Sequence, residues 1–129
     1  MQRRFVAVVA AVVLLPLLGV SQTPSATVVA DISFEFHAGK EVLPAGTYEF
    51  KPDAHGDVVS VMNVKAKNTI LTPVLTRISQ RPGNEAMVVF DKVGDQCYLS
   101  ELHMPVADGF HFTGAPGHHT HVAVRSKKS

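Results

Sequence analysis

The sequence is poor in cysteine and in aromatic residues, and each shortage excludes a class of protein. A single cysteine, Cys97, is present in 129 residues, so no disulfide can form within the chain. The nine aromatic side chains include no tryptophan, which leaves little material for the stacking platform of a sugar-binding protein. The chain must therefore rely on an apolar core, and we expect Cys97 to be a buried, unreactive thiol within it.

Excess charge is also lacking. The chain carries twelve basic and eleven acidic residues, and two of the basic ones, Arg3 and Arg4, lie at the extreme N-terminus. The remaining ten and eleven leave the rest of the chain near neutral at pH 7. Because nucleic-acid binding needs a basic face, this balance argues against a nucleic-acid partner.

Recognisable catalytic motifs are missing as well. The sequence contains no G-x-S-x-G elbow, no P-loop and no local cysteine–histidine signature. The glutamates at 35, 49 and 101 fall within strand-like runs, where outward-facing carboxylates are usually solvated. We therefore expect a protein that is not an enzyme. A small hydrolase or isomerase whose site is assembled only in space stays an alternative.

The N-terminal 26 residues have the layout of a secretory signal peptide. A positive segment containing Arg3 and Arg4 precedes an uncharged apolar run over residues 5–20, and a small, polar segment follows it. The sixteen apolar residues fall short of the ~20 that span a hydrocarbon core, and Pro16 interrupts them. We predict a cleaved leader and no stable membrane anchor after cleavage.

Cleavage is expected after Ser21 or after Ala26, with Ala26 favoured. The domain organisation predicted is then a signal peptide over residues 1–26 and a single β-domain over residues 27–129. The predicted location of this domain is the periplasm or the cell exterior.

Period-two alternation predicts strands along nearly all of the remaining chain. Residues 28–37 alternate apolar and polar, and residues 120–125 do so again. Gly94-Asp95 between two β-rich runs predicts a hairpin, and Pro73 predicts an edge strand or a bulge. About eight short strands predict an all-β fold, a small antiparallel sandwich or partly open barrel.

The same pattern predicts the connections and the core. We expect a turn over residues 81–84 and a long loop over residues 104–118, with any short helix inside Pro105–Gly109. The inward-facing positions of the strands predict a core of Ile32, Phe34, Phe36, Leu43, Tyr48, Phe50, Val88, Phe90, Tyr98 and Leu99. Since adjacent strand residues face opposite ways, Tyr98 and Leu99 both belong to it only if both faces are covered.

Two segments resemble a group of small exported bacterial proteins of the kind common in acidobacteria. Phe34 to Tyr48 matches the pattern F-x-F-x-x-G-x-x-x-L-P-A-G-T-Y that follows the signal peptide in that group. Phe90 to Ser100 is similar to its second landmark, an F-x-x-x-G-D-x-x-f-L-S hairpin. The resemblance implies export and an all-β domain and assigns no activity. The segment Leu43–Tyr48 also resembles a strand-turn-strand of prealbumin-like sandwich modules in surface proteins.

Histidine is the one reactive residue type that is concentrated. Five of the seven histidines fall within the nineteen positions from His103 to His121. In a strand, His119 and His121 point to the same face about 7 Å apart, from where two imidazoles can converge on one Zn²⁺ or Cu²⁺ ion. His118 and His111 are the candidates for a further ligand.

Three functional interpretations are left by the sequence. The first is a non-enzymatic exported β-domain that acts by binding or as a structural part of the envelope, without a cofactor. The second is a histidine-dependent Zn²⁺- or Cu²⁺-binding protein, and the third is the small hydrolase or isomerase.

Overall fold

In a computed structural model, the structure describes residues 27–79, 85–105 and 107–127. The predicted signal peptide and the predicted turn over residues 81–84 lie outside these residues. Within them the chain forms strands and no helix, and no helix there is long and apolar enough to cross a membrane. The strands are β1 (Val28–Ile32), β2 (Phe36–Ala38), β3 (Glu41–Leu43), β4 (Gly46–Pro52), β5 (Val58–Asn63), β6 (Thr69–Pro73), β7 (Thr76–Ile78), β8 (Met87–Val93), β9 (Gln96–His103), β10 (Gly109–His111) and β11 (Thr120–Arg125).

The strands build two sheets that pack face to face. The first sheet has the antiparallel order β1-β4-β5-β6. The second has the order β11-β8-β9-β10-β7, and the short β2–β3 hairpin joins it through one parallel contact between His37 of β2 and Tyr98 of β9. The predicted all-β class is confirmed, and the sheets stay open as a sandwich rather than closing into a barrel.

The described residues contain eleven strands where about eight were predicted. One of the additional strands is β10, and the other two arise because the chain changes sheet inside two predicted strands. The alternating run over residues 28–37 is divided between β1 in the first sheet and β2 in the second. Its alternation continues across the break, since both strands turn apolar side chains toward the same interior. The run after Thr69 divides in the same way at Val74 and Leu75, between β6 and β7.

Both smaller strand predictions are confirmed. β6, which contains Pro73, pairs only with β5 and forms an edge of the first sheet. β8 and β9 form the predicted hairpin, and Gly94 in its turn has a positive φ of 59°. The segment predicted as one long loop over residues 104–118 differs, since it contains β10, which pairs with both β9 and β7.

The core lies between the two sheets and is stabilised by contacts between aromatic rings. Phe36 meets Tyr48 and Phe90 in edge-to-face pairs with centroid separations of 5.1 Å. Seven of the ten predicted core residues are buried, namely Ile32, Phe36, Tyr48, Phe50, Val88, Phe90 and Leu99. The other three, Phe34, Leu43 and Tyr98, are only partly buried. Leu99 faces the core, whereas Tyr98 points away from it and stacks on His37.

The turn between β3 and β4 is fixed by its own strand. The Tyr48 hydroxyl donates a hydrogen bond of 2.6 Å to the carbonyl of Pro44, four residues earlier. With Tyr48 buried, this bond satisfies the one polar atom of its ring and holds the turn against the core. The Leu43–Tyr48 segment is thereby explained by turn and core demands alone.

Candidate metal centre

The pairing of β8 with β11 brings a carboxylate and two imidazoles together. In this antiparallel pair Asp91 lies directly opposite His121. Opposite residues of a ladder point to the same face of the sheet, and residues two apart in a strand share a face as well. His119 therefore lies beside His121 on the face that carries Asp91, with the imidazole centroids 5.0 Å apart.

Asp91 is buried although it points away from the core. The chain that follows β10 folds back over the outer face of β8 and β9, and the amide of Phe112 donates to the carbonyl of Ser100 at 2.8 Å. Three residues later, the amide of Ala115 donates to Oδ2 of Asp91 at 3.0 Å. This cover leaves only 5% of the Asp91 side chain exposed.

The other carboxylate oxygen faces the two histidines. Oδ1 of Asp91 lies 3.4 Å from Nε2 of His119 and 3.2 Å from Nδ1 of His121. Neither contact has the alignment of a hydrogen bond, so Oδ1 is a buried atom without a hydrogen-bond partner. Buried polar atoms in this condition are rare and require an explanation.

The two oxygen–nitrogen separations are close to the edge length of a tetrahedral coordination shell. Zn²⁺ binds imidazole nitrogen and carboxylate oxygen at about 2.0–2.2 Å, which puts neighbouring ligand atoms of a tetrahedron about 3.3–3.5 Å apart. The measured values of 3.4 Å and 3.2 Å lie at or close to this spacing. The three ligand atoms all lie within 4.8 Å of one another, and no other histidine, cysteine, aspartate or glutamate of the described residues joins them.

A neighbouring carbonyl fixes the tautomer of His119. Nδ1 of His119 lies 2.8 Å from the carbonyl oxygen of Gly117. Because a carbonyl can only accept, Nδ1 must carry the hydrogen and donate it. In the neutral ring Nε2 then carries the free lone pair, and this atom lies 3.4 Å from Oδ1 of Asp91. A backbone carbonyl in this role is the usual outer partner of a metal-binding histidine.

The remaining predicted ligands, His118 and His111, lie outside the centre. His118 is exposed and lines a shallow, open groove with His119 and the turn of the β8–β9 hairpin. His111 lies in β10, opposite Glu101 of β9 and Thr76 of β7. The structure thus brings His119 and His121 together and keeps His118 and His111 outside the three-atom group.

Two other histidines and the cysteine have separate structural roles. Nε2 of His103 lies 2.7 Å from Oε1 of Glu101, and Nε2 of His37 lies 2.6 Å from Oε1 of Gln96. Cys97 is buried as expected, and this burial raises the pKa of its thiol, although the positive charge of Lys92 acts in the opposite direction.

Sequence reasoning missed Asp91, the one acidic member of the centre. The sequence feature that could have indicated Asp91 is a carboxylate directly after the apolar run Met87–Phe90 in a predicted strand. Its closeness to His119 depends on a strand register between positions about thirty residues apart, which local periodicity does not determine.

Comparison with known proteins adds no relative. No protein-family model, no curated protein and no solved structure matches this chain. The function is therefore inferred from the chemistry of the site.

Proposed function

We propose that this protein is an exported β-domain that binds a divalent metal ion, Zn²⁺ in preference to others, through Asp91, His119 and His121. One observation carries the proposal: a buried carboxylate oxygen without a hydrogen-bond partner faces two imidazole nitrogens at 3.4 Å and 3.2 Å. A cation between them would satisfy all three atoms at once.

The donor set selects the class of ion. Two imidazole nitrogens and one carboxylate oxygen suit Zn²⁺ and Cu²⁺, whereas Ca²⁺ and Mg²⁺ prefer oxygen ligands alone. The two oxygen–nitrogen separations of 3.4 Å and 3.2 Å suit a tetrahedral ion, which favours Zn²⁺, because Cu²⁺ prefers tetragonal arrangements. Three protein ligands leave room for a fourth ligand from solvent, and His121, whose side chain is 59% exposed, lies on the solvent side.

The surroundings favour binding over catalysis. The groove beside His119 is shallow and open, while sites that process small molecules are usually concave and enclose most of their ligand. A role in holding or carrying the metal ion outside the cytoplasm agrees with both the groove and the predicted leader.

Isothermal titration of the purified protein with Zn²⁺ and Cu²⁺ at pH 7.5 tests the proposal. We expect one Zn²⁺ per chain. Removing an outer-shell partner costs about 10–100-fold in metal affinity. We expect the double variant His119→Ala, His121→Ala to lose at least about 100-fold in Zn²⁺ affinity, the upper end of that range. Asp91→Asn should weaken Zn²⁺ binding while keeping an oxygen that accepts the hydrogen bond from the Ala115 amide.

Two single variants serve as matched controls. His118→Ala removes the neighbouring exposed imidazole, and His55→Ala removes one in a distant loop. Both should bind Zn²⁺ as the wild type does. Equal, weak binding by the wild type and the double variant would overturn the proposal and leave a structural role in the envelope. Loss of binding in His118→Ala would move the site toward the groove.

Export has its own test. Mass spectrometry of the protein recovered from outside the cytoplasm should show an N-terminus between Gln22 and Asp31, as the leader pattern predicts. An intact Met1 would instead indicate a retained anchor.

A further inference from the structure

The proposed metal centre has one ligand fewer than a closed zinc site. Asp91, His119 and His121 supply three ligand atoms, and no other histidine, cysteine, aspartate or glutamate of the described residues joins them. Zinc sites that stabilise a fold are usually closed by four protein ligands, whereas a site with three keeps a position for water or an incoming ligand. An ion held by these three side chains therefore has one exchangeable position.

The three ligands differ in how far they are exposed to solvent. The exposed fraction of the side chain is 5% for Asp91, 27% for His119 and 59% for His121. Strand β11, which carries His121, pairs only with β8 in the described part of the chain and forms an edge of its sheet. An incoming ligand can therefore approach from the side of His121 without displacing a strand.

The ligands differ in the same order in how firmly they are held. Oδ2 of Asp91 accepts a hydrogen bond of 3.0 Å from the Ala115 amide, and Nδ1 of His119 donates one of 2.8 Å to the carbonyl of Gly117. No hydrogen bond to another described residue holds the imidazole of His121. His121 is thus the ligand that detaches most readily when another donor enters.

The surface beside the centre is positively charged. The groove next to His119 is lined by the exposed Lys92 and, among the residues that the structure describes, by no acidic one, since Asp95 of the same hairpin turn lies outside the lining. A Zn²⁺ ion bound by one carboxylate and two neutral imidazoles adds one net positive charge. Because complementary charges steer and select partners, this surface favours an acceptor with anionic donor atoms.

On the basis of the proposed Zn²⁺ binding, we infer that the centre passes its metal ion directly to a metal-binding partner that presents carboxylate donors on an acidic surface. A carboxylate oxygen of the acceptor bonds to the ion at the open position, and the bond to Nδ1 of His121 then breaks. The imidazole leaves as a neutral ring, and no electron is transferred. The bonds to His119 and Asp91 break last. The protein is in this way a carrier of the ion rather than a store.

Transfer of Zn²⁺ from the loaded protein to the coloured chelator pyridylazoresorcinol, a monoanion at neutral pH, tests this inference. Direct transfer passes through a complex of protein, ion and chelator, so its rate should rise in proportion to the chelator concentration. A rate that stays constant as the chelator is increased would show that the ion first escapes to solvent. That result would overturn direct transfer and leave one-to-one Zn²⁺ binding, and with it the proposed function, intact.

Two matched variants test the selection of an anionic acceptor. Lys92→Gln removes an exposed positive charge beside the groove, and Lys51→Gln removes one from β4 of the other sheet. Lys92→Gln should lower the slope of rate against chelator concentration about twofold, the size of one unit-charge interaction across about 10 Å of water. Lys51→Gln should leave this slope unchanged. With the uncharged chelator terpyridine, the slope should be the same in the wild type and both variants.

Two further results would overturn the inference. Equal slopes for the wild type and Lys92→Gln with the anionic chelator, or an equal reduction with terpyridine, would show that charge beside the groove does not select the acceptor. Absence of Zn²⁺ binding by the wild type in the calorimetric titration would overturn the proposed function and this inference together. The two failures are distinguishable, because calorimetry measures binding and the chelator assay measures the route of release.

Discussion

The backbone amide of Ala115 donates a hydrogen bond of 3.0 Å to Oδ2 of Asp91. The two oxygens of one buried carboxylate thus have different tasks, since Oδ2 holds the segment after β10 and Oδ1 faces the two imidazoles. Substitutions in the segment after β10 should therefore alter metal binding, because they displace the carboxylate of Asp91.

Gly114 provides the sharpest test of that connection. A Cβ atom at Gly114 would overlap Oδ2 of Asp91, and the residue has a φ of +67°. Gly39, in the turn between β2 and β3, has a similar φ of +62° with open space around it. We expect Gly39→Ala to cost about 1–2 kcal/mol of unfolding free energy from backbone strain alone.

Gly114→Ala should cost more than Gly39→Ala and should also weaken Zn²⁺ binding, because the carboxylate must shift. Chemical denaturation and Zn²⁺ titration of the two variants measure both effects. Equal behaviour of the pair would show that the carboxylate is not constrained by this segment.

Zn²⁺ affinity should fall as the pH falls. A metal-binding imidazole must be neutral, and imidazole in model peptides titrates near pH 6.5. Protons therefore compete with the metal at two rings, and we expect weaker Zn²⁺ binding at pH 5.5 than at pH 7.5. Titration at both pH values, in buffers of different ionisation enthalpy, also measures the protons released. A flat profile would argue against two histidine ligands.

Cys97 should react slowly in the folded protein. It is 6% exposed, and its burial raises the pKa of the thiol, so less of the reactive thiolate is present at a given pH. Reaction with a disulfide reagent at pH 8 should be more than about tenfold slower in the native protein than in the protein unfolded by urea. Similar rates in the two states would show that the hairpin around Cys97 opens readily.

Phe36 and Phe34 should differ in their contribution to stability. Phe36 is fully buried between Tyr48 and Phe90, so Phe36→Ala should cost about 3–5 kcal/mol of unfolding free energy. The ring centroids of Phe34 and Phe90 are 5.0 Å apart. Phe34 is nevertheless only partly buried, because it lies in the link between β1 and β2. Phe34→Ala should cost less, as equilibrium denaturation of both variants will measure.

The sequence predicts the class of the fold better than its division into sheets. Alternation identifies the strands because burial on one face leaves a period of two in the residues. The change of sheet between Ile32 and Phe36 leaves no trace in that period, since both strands face one interior. For the same reason the alternation predicts Phe34 in the core, although it lies in the link between β1 and β2 and is only partly buried.

The candidate metal centre, too, is predicted only in part from the sequence. The pair His119 and His121 follows from local geometry, because residues two apart in a strand share a face. Asp91 depends on the register of β11 against β8, and its burial depends on the segment after β10. Both are long-range features that become visible only when the whole chain is folded.

The crossing of β11 onto β8 also sets where the metal would be acquired. Asp91 and His121 come together only when β11 pairs with β8. A metal site of this kind rarely exists before folding. If the chain is exported unfolded, the ion would therefore be bound after passage and drawn from the supply outside the cytoplasm.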